Sequence, residues 1–192
     1  MKNQKIWRRD FIKAGGVLAM AAPLIRPLMG RENNSNNASR PVTAIVLGAG
    51  NRGNTYAGYS LKFPDELKIV GVAEPIDFRR KRFAEKYNIP KKNKWVTWEH
   101  ALQHSKMADV LIITTPDALH YGPAMGGLEL GYDLLLEKAI GRNWNEVNDI
   151  LQMTKKKNRI AGICHVLRYT NYYRNLKNVM DSGVLGQLLS IE

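Results

Sequence analysis

Cysteine is nearly absent from this chain. A single thiol, Cys164, in 192 residues excludes an internal disulfide framework, so the compartment has to be read from other features. Long hydrophobic runs are missing too: the apolar stretch Ala14–Ile25 has twelve residues, broken by Pro23, whereas a membrane span needs about 20. No repeat, low-complexity or glycine/proline-rich tract is present, which excludes collagen-like and largely disordered classes. Acidic residues are scarce, with 17 Asp+Glu against 29 Lys+Arg and a net charge of +12. Spread over a folded surface, that charge would suggest a nucleic-acid partner. It is concentrated at one end, however: residues 1–40 carry eight Lys/Arg and two Asp/Glu, and residues 41–192 carry twenty-one and fifteen. The folded part is only mildly basic, and no nucleic-acid partner is expected.

The first forty residues read as a charged head, a short apolar segment and a polar tail. Arg8-Arg9-Asp10-Phe11-Ile12-Lys13 resembles the twin-arginine export signal, and the twelve-residue run behind it suits the apolar region of a signal peptide. Residues 1–29 are therefore expected to be a twin-arginine-type signal recognised by that export machinery, giving a periplasmic or otherwise exported protein. Two features depart from the pattern: no small-x-small cleavage site lies near Leu28-Met29-Gly30, and Arg26 interrupts the run. The competing reading is an amphipathic helix at a membrane surface. Residues 30–40, rich in Asn and Ser, read as a linker.

Beyond Arg40 the pattern alternates. Apolar, β-prone runs at 42–47, 67–73, 110–114, 132–136 and 159–163 are separated by segments of helical spacing at 56–62, 77–87, 98–104, 118–130 and 146–157. Strands alternating with helices imply an α/β fold, a doubly wound parallel sheet. Runs such as Ala44-Ile45-Val46-Leu47 are apolar at every position, as expected where helices cover both faces. The first run ends in Gly48-Ala49-Gly50-Asn51-Arg52-Gly53, the G-x-G-x-x-G loop of dinucleotide-binding units. Gly48 permits the tight turn, Gly50 lets a pyrophosphate approach the backbone, and Gly53 allows close helix packing. Glu74 follows Gly53 by twenty-one residues, at the end of the second run, where an acid accepts hydrogen bonds from the adenosine ribose. This pair predicts NAD, with NADP disfavoured by the carboxylate, although Arg79, Arg80, Lys81 and Arg82 lie where a 2′-phosphate could be received. Thr115, Pro116 and Asp117 end the third strand at the edge where nucleotide crevices form, and His120 lies three residues on.

Taken together, the GAGNRG loop, Val72-Ala73-Glu74-Pro75, Thr114-Thr115-Pro116-Asp117-Ala118-Leu119-His120 and Leu136-Glu137-Lys138 resemble the Gfo/Idh/MocA oxidoreductases from about Val42 onward. The resemblance extends to His165-Val166-Leu167-Arg168-Tyr169 and to Asp181-Ser182-Gly183-Val184-Leu185-Gly186. It implies a Rossmann domain over 41–165 and the beginning of a truncated, α+β substrate domain over 166–192. It also implies hydride transfer between a nicotinamide cofactor and a hydroxyl or carbonyl of a sugar or cyclitol. Lys138 then corresponds to the lysine that assists proton movement beside the nicotinamide. Glu137 is its partner, His120 a residue near the nicotinamide ribose, and Arg168 a residue facing the cofactor. Ala139 stands where the family usually has proline, which puts the aim of Lys138 in question. Family members often oligomerise through the second domain's sheet. Two alternatives stay open: an NAD-dependent glycoside hydrolase of the same fold, and a non-catalytic nucleotide-binding fragment. His165 is either near the crevice or structural. Tyr169, Tyr172, Tyr173, Leu176 and Met180 share a helix-like spacing expected to serve packing.

Overall fold

The computed structural model describes residues 40–187, 189 and 190; the expected signal peptide and all but the last residue of the expected linker lie outside them. Six strands form one parallel sheet: β1 Val42–Leu47, β2 Leu67–Ala73, β3 Lys94–Trp95, β4 Val110–Ile113, β5 Asp133–Glu137 and β6 Ala161–Cys164. Their order is β3-β2-β1-β4-β5-β6, so the chain reverses direction across the sheet between β1 and β4. The helices are α1 Asn51–Ala57, α2 Tyr59–Lys62, α3 Asp77–Lys86, α4 Trp98–Leu102, α5 Tyr121–Glu129, α6 Trp144–Lys156 and α7 Asn171–Asp181.

The continuous apolar strands are explained by two cores. Ile45 and Leu47 of β1 and Leu111 and Ile113 of β4 point to one face, packing with Ala124 and Leu128 of α5 and Ile150 of α6. Ala44, Val46 and Ile112 point to the other, against Ala57 of α1 and Phe83 and Ala84 of α3. Because successive strand residues alternate faces, a strand covered on both sides has to be apolar throughout. At the N-terminal edge, Arg40 makes a bidentate pair with Asp109 at 2.7 Å, and Asp109 also accepts from the Thr43 amide and hydroxyl. These contacts tie the start of β1 to the loop before β4.

Several boundaries differ from the sequence expectation for physical reasons. The first helix begins at Asn51, inside the glycine loop, and breaks at Gly58; Gly53 is helical because the helix packs against the strand end there. The helix expected from Glu146 starts at Trp144, since the Asn143 side chain accepts from the Glu146 amide as an N-cap. The segment expected as one helix over 118–130 is a 3₁₀ turn, Asp117–Leu119, followed by α5. The two-residue β3 had no apolar run to announce it. The stripe expected to pack along α7 does not do so among the described residues: Tyr172 is 70% exposed, and α7 buries no side chain.

Candidate functional site

All the functional side chains expected from the sequence come from the carboxyl ends of the strands and the turns that follow them. At the switch point, Gly48 has φ +96° and its amide donates to Ala73 O. A Cβ there would lie 2.6 Å from Thr114 O, and one at Gly53 would lie 2.1 Å from Gly48 O. Backbone therefore fills the space a side chain would need. Gly50 is different. A Cβ at Gly50 meets nothing within 4 Å, so its backbone faces open space at the N-terminus of α1, where free N–H groups favour an anion. The loop fits a pyrophosphate, and Asn51 opens the helix beside it.

Glu74 is 4% exposed. Its Oε2 accepts from the Ala49 amide at 2.8 Å and its Oε1 from the Ile76 amide at 3.0 Å, so the carboxylate braces the glycine loop. Each oxygen keeps a further lone pair for a ribose hydroxyl. Glu74, Gly48, Gly50, Thr115 and Pro116 line a cavity of about 550 Å³, together with Trp98 and Leu119, two apolar residues that sequence reasoning missed. Of the four cations after β2, Arg80 pairs with Asp77 and with the carbonyls of Glu74 and Pro75, and Lys81 pairs with Asp77. Arg79 lines the Glu74 cavity and, with Arg82, also borders a smaller cleft next to Asn51 and Asn54.

A second cavity, about 790 Å³, lies on the other side of Thr114 and Thr115, which line both. Arg52, Asp117, Glu137, Lys138, His165 and Arg168 contribute to its wall. Glu137, 6% exposed, is the polar centre: its Oε1 accepts from Arg52 Nε and from the Tyr56 hydroxyl, each at 2.6 Å, and its Oε2 from the Lys138 amide at 2.8 Å. Burial alone would raise this carboxyl, but those three donors outweigh it and hold it below its usual range. Burial and the neighbouring Glu137 push the Tyr56 hydroxyl far up, and burial raises the Cys164 thiol. Tyr56 carried no signal in the sequence, because it belongs to the helix behind the glycine loop and meets Glu137 only through the fold. The Lys138 side chain is 64% exposed, with Nζ 3.7 Å from Asp117 Oδ2.

His120 meets a different geometry from the cofactor-side position expected. It is fully buried, at 0% exposure, and lines neither cavity. Its ring nitrogens lie 2.5 Å from Ala139 O and 2.9 Å from Thr115 O, behind the wall that those residues form.

A parallel six-stranded sheet with a glycine loop at its switch point and an acid closing β2 defines a dinucleotide-binding protein of the Rossmann class. Residues 42–165 match the Gfo/Idh/MocA group, an oxidoreductase family with an NAD-binding Rossmann fold, and the chain belongs to that family. It is 26% identical over 149 residues to the inositol 2-dehydrogenase of Salmonella typhimurium, covering 77% of this chain and 44% of that one. Over 147 residues it is 24% identical to Oxidoreductase P35 of Formosa agariphila, covering 77% and 45%. Among solved structures, myo-inositol 2-dehydrogenase from Lactobacillus plantarum superposes with a TM-score of 0.69 at 20% identity, covering 78% of this chain and 44% of that one. The WlbA dehydrogenase of Bordetella pertussis, solved with NADH and UDP-GlcNAcA, gives 0.67 at 16% identity, covering 77% and 43%. These two share the fold. The chain spans less than half the length of the curated relatives it matches.

Proposed function

We propose that this chain is the nucleotide-binding half of an exported, NAD-dependent oxidoreductase acting on a hydroxyl or carbonyl of a sugar or cyclitol. The observation that carries the reading is the arrangement at one sheet edge: two cavities meeting at Thr114 and Thr115, one braced by Glu74 and the glycine loop, the other holding Lys138. The amides at Gly50 and Asn51 would take the pyrophosphate, Glu74 the adenosine ribose, and Thr115 and Arg168 the nicotinamide end. Glu74 favours NAD, because a 2′-phosphate would be forced against a carboxylate. The names of the inositol dehydrogenase relatives support a cyclitol or sugar over other alcohols.

When bound, the nicotinamide supplies a hydride acceptor or donor. The chain supplies the proton handling. Lys138 Nζ reaches into the larger cavity from an exposed side chain, and Asp117, 3.7 Å away, offers it a carboxylate. A substrate hydroxyl within hydrogen-bond reach would pass its proton to Nζ in the amine form as hydride leaves carbon, leaving the ammonium beside Asp117, and in the reverse direction that ammonium would return the proton. Glu137 fixes the peptide from which Lys138 projects, and Ile140, Val147 and Leu167 give the cavity apolar walls that limit water.

Calorimetric titration with NAD and NADP tests the cofactor reading on the chain itself; NADP binding as tightly as NAD refutes it. In a form carrying a complete substrate domain, Lys138→Met is expected to lower turnover by about 10²-fold or more, the scale of a positioned proton-transfer group, with NAD affinity nearly unchanged. Turnover that survives the substitution refutes the role of Lys138.

A further inference from the structure

We infer that His120 is a positioning residue that sets where Lys138 stands, an inference resting on the reading of Lys138 as the proton-handling group. The starting observation is one of cost. An imidazole at 0% exposure has given up its water, and such a group persists in a core only where its polar atoms are satisfied. The His120 ring nitrogens lie against two backbone carbonyls, Ala139 O at 2.5 Å and Thr115 O at 2.9 Å; a neutral imidazole has one N–H to donate, and the shorter distance assigns it to Ala139 O. The two carbonyls belong to two different loops, one following β4 and one following β5. Both residues line the larger cavity, yet His120 itself does not. The imidazole therefore acts as a strut behind the wall, fixing the separation of the two loops.

Lys138 sits between two such holds. On one side its own amide donates to Glu137 Oε2 at 2.8 Å, and Glu137 is anchored by Arg52 and Tyr56. On the other, the carbonyl of the next residue, Ala139, is held by His120. The Lys138 side chain is 64% exposed, and the ionic contact recorded for it is the long one to Asp117, so its direction is set by its backbone. Asp117 lies on the same loop as His120, whose backbone amide donates to Asp117 O at 3.3 Å across the 3₁₀ turn. That bond is independent of the imidazole, so what the ring itself holds is the loop that carries Lys138. Ala139 lacks the conformational restraint a proline ring supplies, and the hydrogen bond to its carbonyl provides a restraint from outside the loop.

The test uses the 192-residue chain with its lysines reductively methylated with ¹³C, the Lys138 signal being assigned through Lys138→Arg. In the unmutated protein, NAD is expected to shift that signal. In His120→Phe, which keeps a ring but no donor, and in His120→Asn, which keeps a short amide, the shift is expected to be lost or much reduced. NAD affinity by calorimetry should stay within a few-fold, because the ring makes no contact with Glu74 or the glycine loop. A merely structural histidine would lower the melting temperature while leaving the NAD-dependent shift intact, and that result overturns the inference alone. No NAD response of Lys138 in the unmutated protein overturns the reading of Lys138 instead. Should both variants fail to fold, spectra of the ¹³C,¹⁵N-labelled unmutated protein decide. A His120 ring N–H coupled to the Ala139 carbonyl, with a signal that moves together with that of Lys138 when NAD is added, supports the strut, and an absent coupling or a signal that stays still refutes it.

Discussion

Replacing Glu137 by glutamine tests the polar centre of the site, because shape is kept and charge is removed. The carboxylate accepts three hydrogen bonds: two on Oε1, from Arg52 and Tyr56, and one on Oε2, from the Lys138 amide. An amide can keep its oxygen toward only one of these sets. The less costly orientation leaves the oxygen to Arg52 and Tyr56 and sets an NH₂ against the Lys138 N–H, donor against donor. A part-buried donor left unpaired costs about 1–3 kcal/mol. The bond from Tyr56 becomes neutral and loses about 1 kcal/mol, its charge assistance. The Arg52 side chain is 39% exposed, so its share is screened and counts for about 0.5 kcal/mol. The total is about 2.5–4.5 kcal/mol. For a domain of this size that corresponds to a melting temperature lower by roughly 5–18 °C, at about 2–4 °C per kcal/mol. The pH dependence has a definite sign. Glu137 is held below its ordinary range in the folded chain, so its contribution is fully present above the unfolded value of about 4.3 and disappears as pH falls through the folded value. Thermal unfolding followed by circular dichroism at about pH 7 and about pH 3 should therefore show a large gap between the two proteins at neutral pH and a smaller one in acid. A gap under about 2 °C at neutral pH, less than 1 kcal/mol, or one that does not shrink in acid, would show that the carboxylate is not what holds Arg52, Tyr56 and Lys138 together.

The glycine loop offers a paired comparison: Gly50→Ala, whose Cβ meets nothing, should change stability by about 0.5 kcal/mol or less yet weaken NAD binding in calorimetry, whereas Gly53→Ala, whose Cβ meets Gly48 O at 2.1 Å, should lower both. Equal stability loss in the two would contradict the reading of Gly50 as the open approach. Glu74→Ala leaves the Ala49 amide without its carboxylate partner and removes the charge facing the ribose, so NAD affinity should fall and the preference over NADP should narrow. An unchanged NAD:NADP ratio by calorimetry counts against it. Replacing Arg8 and Arg9 by lysine should retain the protein in the cytoplasm on cell fractionation, if the N-terminus is a twin-arginine signal; an unchanged location refutes export by that route.

The strand pattern was legible in the sequence because both faces of this sheet are covered. Ala44–Leu47 and Leu111–Ile113 are apolar at every position, and such runs between helical segments admit few other architectures. The glycine loop and Glu74 were legible for a related reason: they do their work through backbone geometry within a single βαβ unit, so their spacing along the chain is their spacing in the fold. The limits of α1, the short β3 and the exposure of α7 were not, since each depends on what packs against the element and not on its own residues. The site's inner wiring was the least legible part. Tyr56 and Arg52 reach Glu137 across 81 and 85 residues of sequence, and His120 reaches Ala139 across 19. Nothing local marks such partners, because a hydrogen bond between distant segments is specified by the fold that brings them together. Residue type and spacing determined that this chain builds a dinucleotide cradle and where its acid and its lysine stand along the sheet edge. Tertiary structure alone decided that the histidine faces inward: its ring N–H finds a carbonyl acceptor only where the loops after β4 and β5 converge, and burial of that donor is tolerable only with the acceptor in place.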